Sequence, residues 1–168
     1  MTIAETGRLH LRNLTDADAP FILELLNEPS FLRFIGDRGV RDLDGAVQYI
    51  GRQITSYETN GFGLWLVESK DNRAALGICG LVRRDTLPHA DIGYAFLPRF
   101  WSHGYAHEAA AAVVDHARNT LGLKRLLAVT NPDNETSIRV LEKIGMKPEG
   151  MVRMTADEPE IRLFSADL

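Results

Sequence analysis

Arg99-Phe100-Trp101-Ser102-His103-Gly104-Tyr105-Ala106-His107-Glu108-Ala109 is the stretch that decides how this chain is read. It follows an apolar, strand-like segment, Ile92-Gly93-Tyr94-Ala95-Phe96-Leu97-Pro98, and leads into an alanine-rich helix. A strand, a tight turn and a helix N-terminus together form an anion site. The first-turn N–H groups have no intrahelical partner, and the helix dipole adds partial positive charge there. Gly104 admits backbone dihedrals that other residues resist and lets a phosphate come close. The expected guest is a diphosphate.

Upstream, Arg8-Leu9-His10-Leu11-Arg12 alternates as a strand does. Thr15 or Asp16 can cap a helix through Phe21–Leu26, an irregular stretch runs from Glu28 to Arg41, and a second helix spans about Asp42 to Tyr57. Gly63–Glu68 and Leu76–Val82 flank the turn residues Lys70-Asp71-Asn72-Arg73 as a hairpin, and Ala90–Leu97 is the third central strand. Downstream, the helix from about Gly104 to Leu121 places Ala106, Ala109, Ala110, Val113, Ala117 and Leu121 on one face, with Gly122 as its C-cap. The apolar strand Leu126–Thr130 follows, and a strand–helix–strand crossover of this length implies parallel pairing. A short helix from Glu135 to Ile144 closes on Gly145, and Met151–Leu168 supplies one or two further strands.

A chain of 168 residues suits one domain, residues 1–168, with a real core. The lone Cys79 excludes an internal disulfide and a multi-cysteine zinc site. A net charge of −4 argues against nucleic acid as a partner, because phosphate neutralisation needs clustered Lys and Arg. No apolar run could span a bilayer, and Met1–Thr6 lacks the build of a signal peptide, so no membrane partner and a cytoplasmic location are expected. A P-loop would need a Gly-Lys-Ser/Thr ending, which is absent, and the dinucleotide fingerprint needs three glycines after the first strand of a βαβ unit.

The element order, the turn at Gly104 and the downstream run Asn134-Glu135-Thr136-Ser137-Ile138-Arg139-Val140-Leu141-Glu142-Lys143-Ile144-Gly145-Met146 together resemble the GCN5-related N-acetyltransferase (GNAT) superfamily. The likeness is greatest to the branch that includes the ribosomal-protein N-terminal acetyltransferases. That branch commonly reads Trp-Gly-x-Gly-Tyr-Ala at the turn; Trp101, Gly104, Tyr105 and Ala106 match, while Ser102 replaces the first glycine and His103 stands where Lys or Gln is frequent. Its later pattern, Asn-x-x-Ser-x-x-x-Leu-x-Lys-x-Gly, is met by Asn134, Ser137, Leu141, Lys143 and Gly145. The resemblance implies an α+β fold: a central, mostly antiparallel twisted sheet with a splayed parallel pair, flanked by about four helices. It also implies acetyl-CoA as donor, no metal, and a primary amine as acceptor, from a monomer or homodimer.

Direct attack of an amine on a thioester sets three requirements. The amine must be neutral, and an α-amino group, with a pKa of about 7.7–8.0, is far easier to deprotonate than a lysine at about 10.4. The carbonyl needs a donor for its developing charge, which the resemblance assigns to a backbone N–H near Phe96 or Leu97. The leaving thiolate needs a proton or hydrogen bond. Much of the superfamily uses a tyrosine of the last helix, but that position is Leu141 here, and Ser137, one turn earlier, is the substitute; its rival reading is a small polar first-turn residue.

Ser102, His103, Gly104, Tyr105 and Ala106 are expected to hold the pyrophosphate with their backbone N–H groups. Asn134 is expected to cap its helix and to touch the pantetheine arm as well. Asp91 is the candidate base, acting through water, against a reading as an exposed strand-end charge; His89 ranks below it. Trp65 and Trp101 are read as core. Acidic Asp37, Asp42, Asp44 and Glu58 could draw a cationic acceptor or simply solvate a helix face. The acceptor stays open between a peptide or protein N-terminus and a small amine such as a polyamine, aminoglycoside or amino acid. A non-catalytic acetyl-CoA-binding sensor is the alternative from another class.

Overall fold

The computed structural model describes residues 2–168. The strands are β1 (Thr2–Glu5), β2 (Leu9–Arg12), β3 (Leu64–Ser69), β4 (Ala75–Val82), β5 (Asp91–Phe96), β6 (Arg125–Thr130), β7 (Lys147–Val152) and β8 (Ile161–Asp167). The helices are α1 (Ala19–Leu26), α2 (Pro29–Phe34), α3 (Leu43–Asn60), α4 (Tyr105–Asn119) and α5 (Glu135–Lys143). One sheet holds all eight strands in the order β1-β2-β3-β4-β5-β6-β8-β7, and β5–β6 is its parallel pair. The α+β architecture is the expected one, with five helices rather than about four. The addition is α2, where Pro29 occupies a first-turn position and the helix ends before Gly36, inside the stretch read as irregular.

Period-two alternation sends the strand side chains to two separate cores. Trp65, Val67, Cys79, Leu81, Ile92 and Phe96 pack beneath α4 and α5, where Ala109, Ala110, Val113 and Ala117 let the helix lie close to the sheet. Leu66, Ile78 and Leu97 face the other way, against Ile22, Leu25 and Leu26 of α1 and Ala46, Tyr49 and Ile50 of α3. The α3 helix begins where Asp42 accepts a hydrogen bond from Gly45 N–H at 2.8 Å and stops at Gly61, whose φ is +79°. One strand lies outside the sequence reading, and another starts earlier than that reading places it. β1 adds an edge beside β2, and β7 begins at Lys147, ahead of the tail from Met151.

Candidate functional site

The parallel pair opens almost at once. Asp91 and Leu127 are its register partners, Leu127 N–H reaches Ala90 O at 3.0 Å, and beyond that point β5 and β6 part. On its other edge β5 stays paired with β4, and Leu97 N–H donates to Leu76 O at 3.1 Å. In an antiparallel ladder the next residue back turns its N–H and C=O away from that partner. Phe96 is that residue: its carbonyl accepts the Trp101 indole N–H at 2.8 Å, and its N–H is directed into the opening. The expectation for Leu97 is therefore corrected, because its amide is spent inside the sheet. Opposite Phe96 stands Gly77, where an added Cβ would lie 2.3 Å from Ala95 O, so only glycine allows this approach.

At the mouth of α4, two residues adopt left-handed backbone: Ser102 at φ +67° and Gly104 at φ +78°. Gly104 is the N-cap, and no side chain closes the helix end, so the N–H groups of the first turn stay unspent. These groups fit the diphosphate of a coenzyme. Arg8 braces the loop from outside. Its Nη1 donates to His103 O at 2.8 Å, its Nε to Glu108 Oε1 at 2.8 Å, and its guanidinium lies 4.6 Å from the centre of the Tyr105 ring. Thr6 Oγ1 also donates to Glu108. Burial pushes the Glu108 carboxyl up, but the Thr6 and Arg8 donors outweigh it and hold the group below its usual range. A groove of about 770 Å³ runs from this brace along the outer side of α4, away from the opening in the sheet.

Across the opening, α5 starts at Asn134, whose side-chain oxygen accepts Ser137 N–H at 3.2 Å, as a cap does. Ser137 is half-buried, and the Tyr94 hydroxyl lies 2.9 Å from its Oγ and 3.0 Å from its O, so the one phenol proton has both as acceptors within reach. Burial pushes the Tyr94 phenol up from its ordinary range. Leu141, one turn on, is buried and brings no polar atom. In the sequence Tyr94 reads only as part of a strand. Its contact with a helix 43 residues later carries no local signal.

Asp91 is not an exposed strand-end charge: it is 1% exposed and paired with Arg84 Nε at 2.9 Å. Burial raises its pKa against the opposing pull of Arg84. His89 and His103 are exposed, while His116 packs edge-on against Trp65. Trp65 is core as expected, but Trp101 is 46% exposed and held by its hydrogen bond to Phe96. Of the acidic residues weighed for the acceptor, Asp37 pairs with Arg41 and Asp42 caps α3, which leaves Asp44 and Glu58 on the surface. Among the described residues no group of His, Cys, Asp and Glu could hold a metal ion, and no helix is long and apolar enough to cross a membrane.

A family model described as the Acetyltransferase (GNAT) domain matches residues 8–147. The uncharacterized N-acetyltransferase YoaA of Bacillus subtilis is 33% identical over 152 residues, covering 90% of this chain and 86% of that one. An acetyltransferase from Agrobacterium tumefaciens superposes with a TM-score of 0.84 at 26% identity, over 99% of this chain and 94% of that one. The ribosomal-protein-S5-alanine acetyltransferase of Vibrio fischeri does so with a TM-score of 0.82 at 19% identity, over 99% and 96% of the two chains.

Proposed function

Because this chain belongs to the GNAT acetyltransferase family and is an acetyl-CoA-dependent N-acetyltransferase, we propose that its acceptor is the N-terminal α-amine of a peptide or protein. One observation carries this choice. Asp91, the candidate base that the sequence offered, is buried and neutralised by Arg84. With Asp91 held in this pair rather than free to strip a high-pKa ammonium, the enzyme works best on an amine already partly neutral near pH 8. The Vibrio fischeri protein of the same fold, named for a ribosomal-protein alanine, is consistent with such an acceptor.

Bound acetyl-CoA supplies the activated thioester. The chain's own groups divide the remaining work. The N–H groups from Ser102 to Ala106 hold the pyrophosphate, and Asn134 Nδ2, left over from capping, meets the pantetheine arm. Phe96 N–H stabilises charge developing on the carbonyl oxygen. Ser137 Oγ serves the leaving sulfur at the positive end of α5.

Thiol release from acetyl-CoA tests the acceptor, with peptides that carry a free or a blocked N-terminus and internal lysines in both. Free peptides should react and blocked ones should not. Equal rates on both would make lysine the acceptor. Reaction only with a polyamine or aminoglycoside would make it a small-molecule enzyme, and release with no amine at all would leave the sensor reading.

A further inference from the structure

We propose that Tyr94 is a positioning residue for Ser137: its hydroxyl, reaching from β5 to α5, donates to the serine Oγ and leaves the serine's own O–H to serve the departing sulfur. The inference rests on the role given to Ser137 above. Tyr94 shares a strand face with Ile92 and Phe96, the face covered by α4 and α5, and so spans the same opening into which Phe96 N–H points. Its hydroxyl sits 2.9 Å from Ser137 Oγ and 3.0 Å from Ser137 O.

A serine hydroxyl has one proton and two lone pairs. Among the described residues, Tyr94 is the side chain that meets Ser137 Oγ. The phenol carries one proton and has two acceptors within reach, Ser137 Oγ and Ser137 O. When that proton goes to Oγ, the serine's rotation is fixed and its own proton is left for the sulfur, and when it goes to Ser137 O, the Tyr94 oxygen accepts the serine proton instead. Burial, which pushes the Tyr94 phenol up, keeps it protonated and therefore a donor at working pH. In the first arrangement Oγ becomes a stronger donor, because hydrogen bonds in a chain polarise one another. No proton leaves Tyr94. In the balanced transfer the amine gains the acetyl group and loses one proton, and the sulfur gains one. The strut also ties α5 to β5 across strands that no longer pair.

The test uses Tyr94→Phe, Ser137→Ala and the double variant in the full chain, with free CoA bound. The ultraviolet absorbance of the thiolate, followed against pH, reports the ionisation of the bound thiol. Both single variants should raise that ionisation by about one pH unit, the equivalent of one hydrogen bond to a charged group. Turnover in Tyr94→Phe should fall about tenfold with CoA affinity nearly intact, and the double variant should be no worse than Ser137→Ala. A fluorotyrosine at position 94 keeps the ring and hydroxyl and strengthens the donor. It should move the bound thiol to lower pH, whether or not Tyr94→Phe folds. If Ser137→Ala shifts the thiol and turnover while both changes at Tyr94 leave them at wild-type values, the positioning role is overturned and the role of Ser137 stands. If Ser137→Ala shifts neither, the role of Ser137 falls and this inference falls with it.

Discussion

Arg8 Nη1 donates to His103 O at 2.8 Å, and so the residue just ahead of β2 holds the loop that opens α4, 95 positions later. The same guanidinium pairs with Glu108 and lies over Tyr105, spanning the loop on three sides. This brace fixes a turn with two left-handed residues, which would otherwise sample many conformations. Arg8→Met keeps the aliphatic stem and removes every donor. CoA affinity by calorimetry should fall about tenfold, as expected for loss of charge-assisted hydrogen bonds that preorganise a site. The melting temperature should change little, because Arg8 is exposed.

Glu108 makes that brace sensitive to acid. Its carboxyl is held below the usual range, so the unfolded state takes up a proton before the folded state does. The stability it contributes is complete above the ordinary glutamate pKa of about 4.3 and is lost as pH falls through the lower folded value. Wild type should therefore melt above Glu108→Gln at neutral pH, and the two curves should converge in acid. A constant gap down to pH about 3 would mean that the carboxylate charge does not matter.

The loop backbone itself can be tested at two positions. Gly104 has φ +78°, and an added Cβ would lie 3.4 Å from Arg8 Nη2, so Gly104→Val strains the turn and crowds the phosphate approach together. CoA binding should be abolished in a protein that still folds. Ser102 pays a left-handed cost of its own at φ +67°, where the related branch carries glycine. Ser102→Gly should stabilise the fold by up to about 1 kcal/mol, since relief of left-handed strain exceeds the added chain entropy. A denaturant titration showing clear destabilisation would mean that the serine side chain makes its own contribution.

Much of this arrangement was legible before the structure, and the missing parts share one physical cause. The helix at Gly104, the strands on either side of the hairpin and the cap at Asn134 are written in local patterns of glycine, polar caps and alternating side chains. The opening of the sheet came through the resemblance. What stayed hidden depends on partners distant in sequence. Which of Phe96 and Leu97 offers its N–H follows from the phase of the β4–β5 ladder, and that phase is set by packing. Whether Asp91 is exposed follows from Arg84 folding back over it. Tyr94 reads only as one residue of a strand until α5 is docked against it. β1 is a short edge strand with an exposed, weakly patterned sequence, so nothing local announces it.

Asp91→Asn separates a charge that supports the fold from one that takes a proton. Removing the charge leaves Arg84 without its partner in a mostly buried setting, so stability should drop by about 1–3 kcal/mol. The pH dependence of turnover should keep its wild-type midpoint, because our proposal puts the carboxylate outside the proton path. A flattened or displaced pH profile in a folded Asp91→Asn protein would restore Asp91 as the base.

The acceptor's own ionisation should then control the rate. With Asp91 paired to Arg84 and Ser137 assigned by our proposal to the leaving sulfur, solvent is expected to remove the ammonium proton before attack. The rate at subsaturating peptide should rise tenfold per pH unit and level off near the acceptor's α-amino pKa, about 7.7–8.0 for an ordinary N-terminus. The midpoint should move with the substrate. A peptide whose first residue lowers the α-amino pKa should bring the plateau to lower pH by the same amount, while the enzyme is unchanged. A midpoint that stays fixed across such a series would belong to the protein, and it would mean that a general base operates in the cleft. A midpoint that tracks the peptide identifies the amine as the titrating group, which is the behaviour an enzyme without a side-chain base must show.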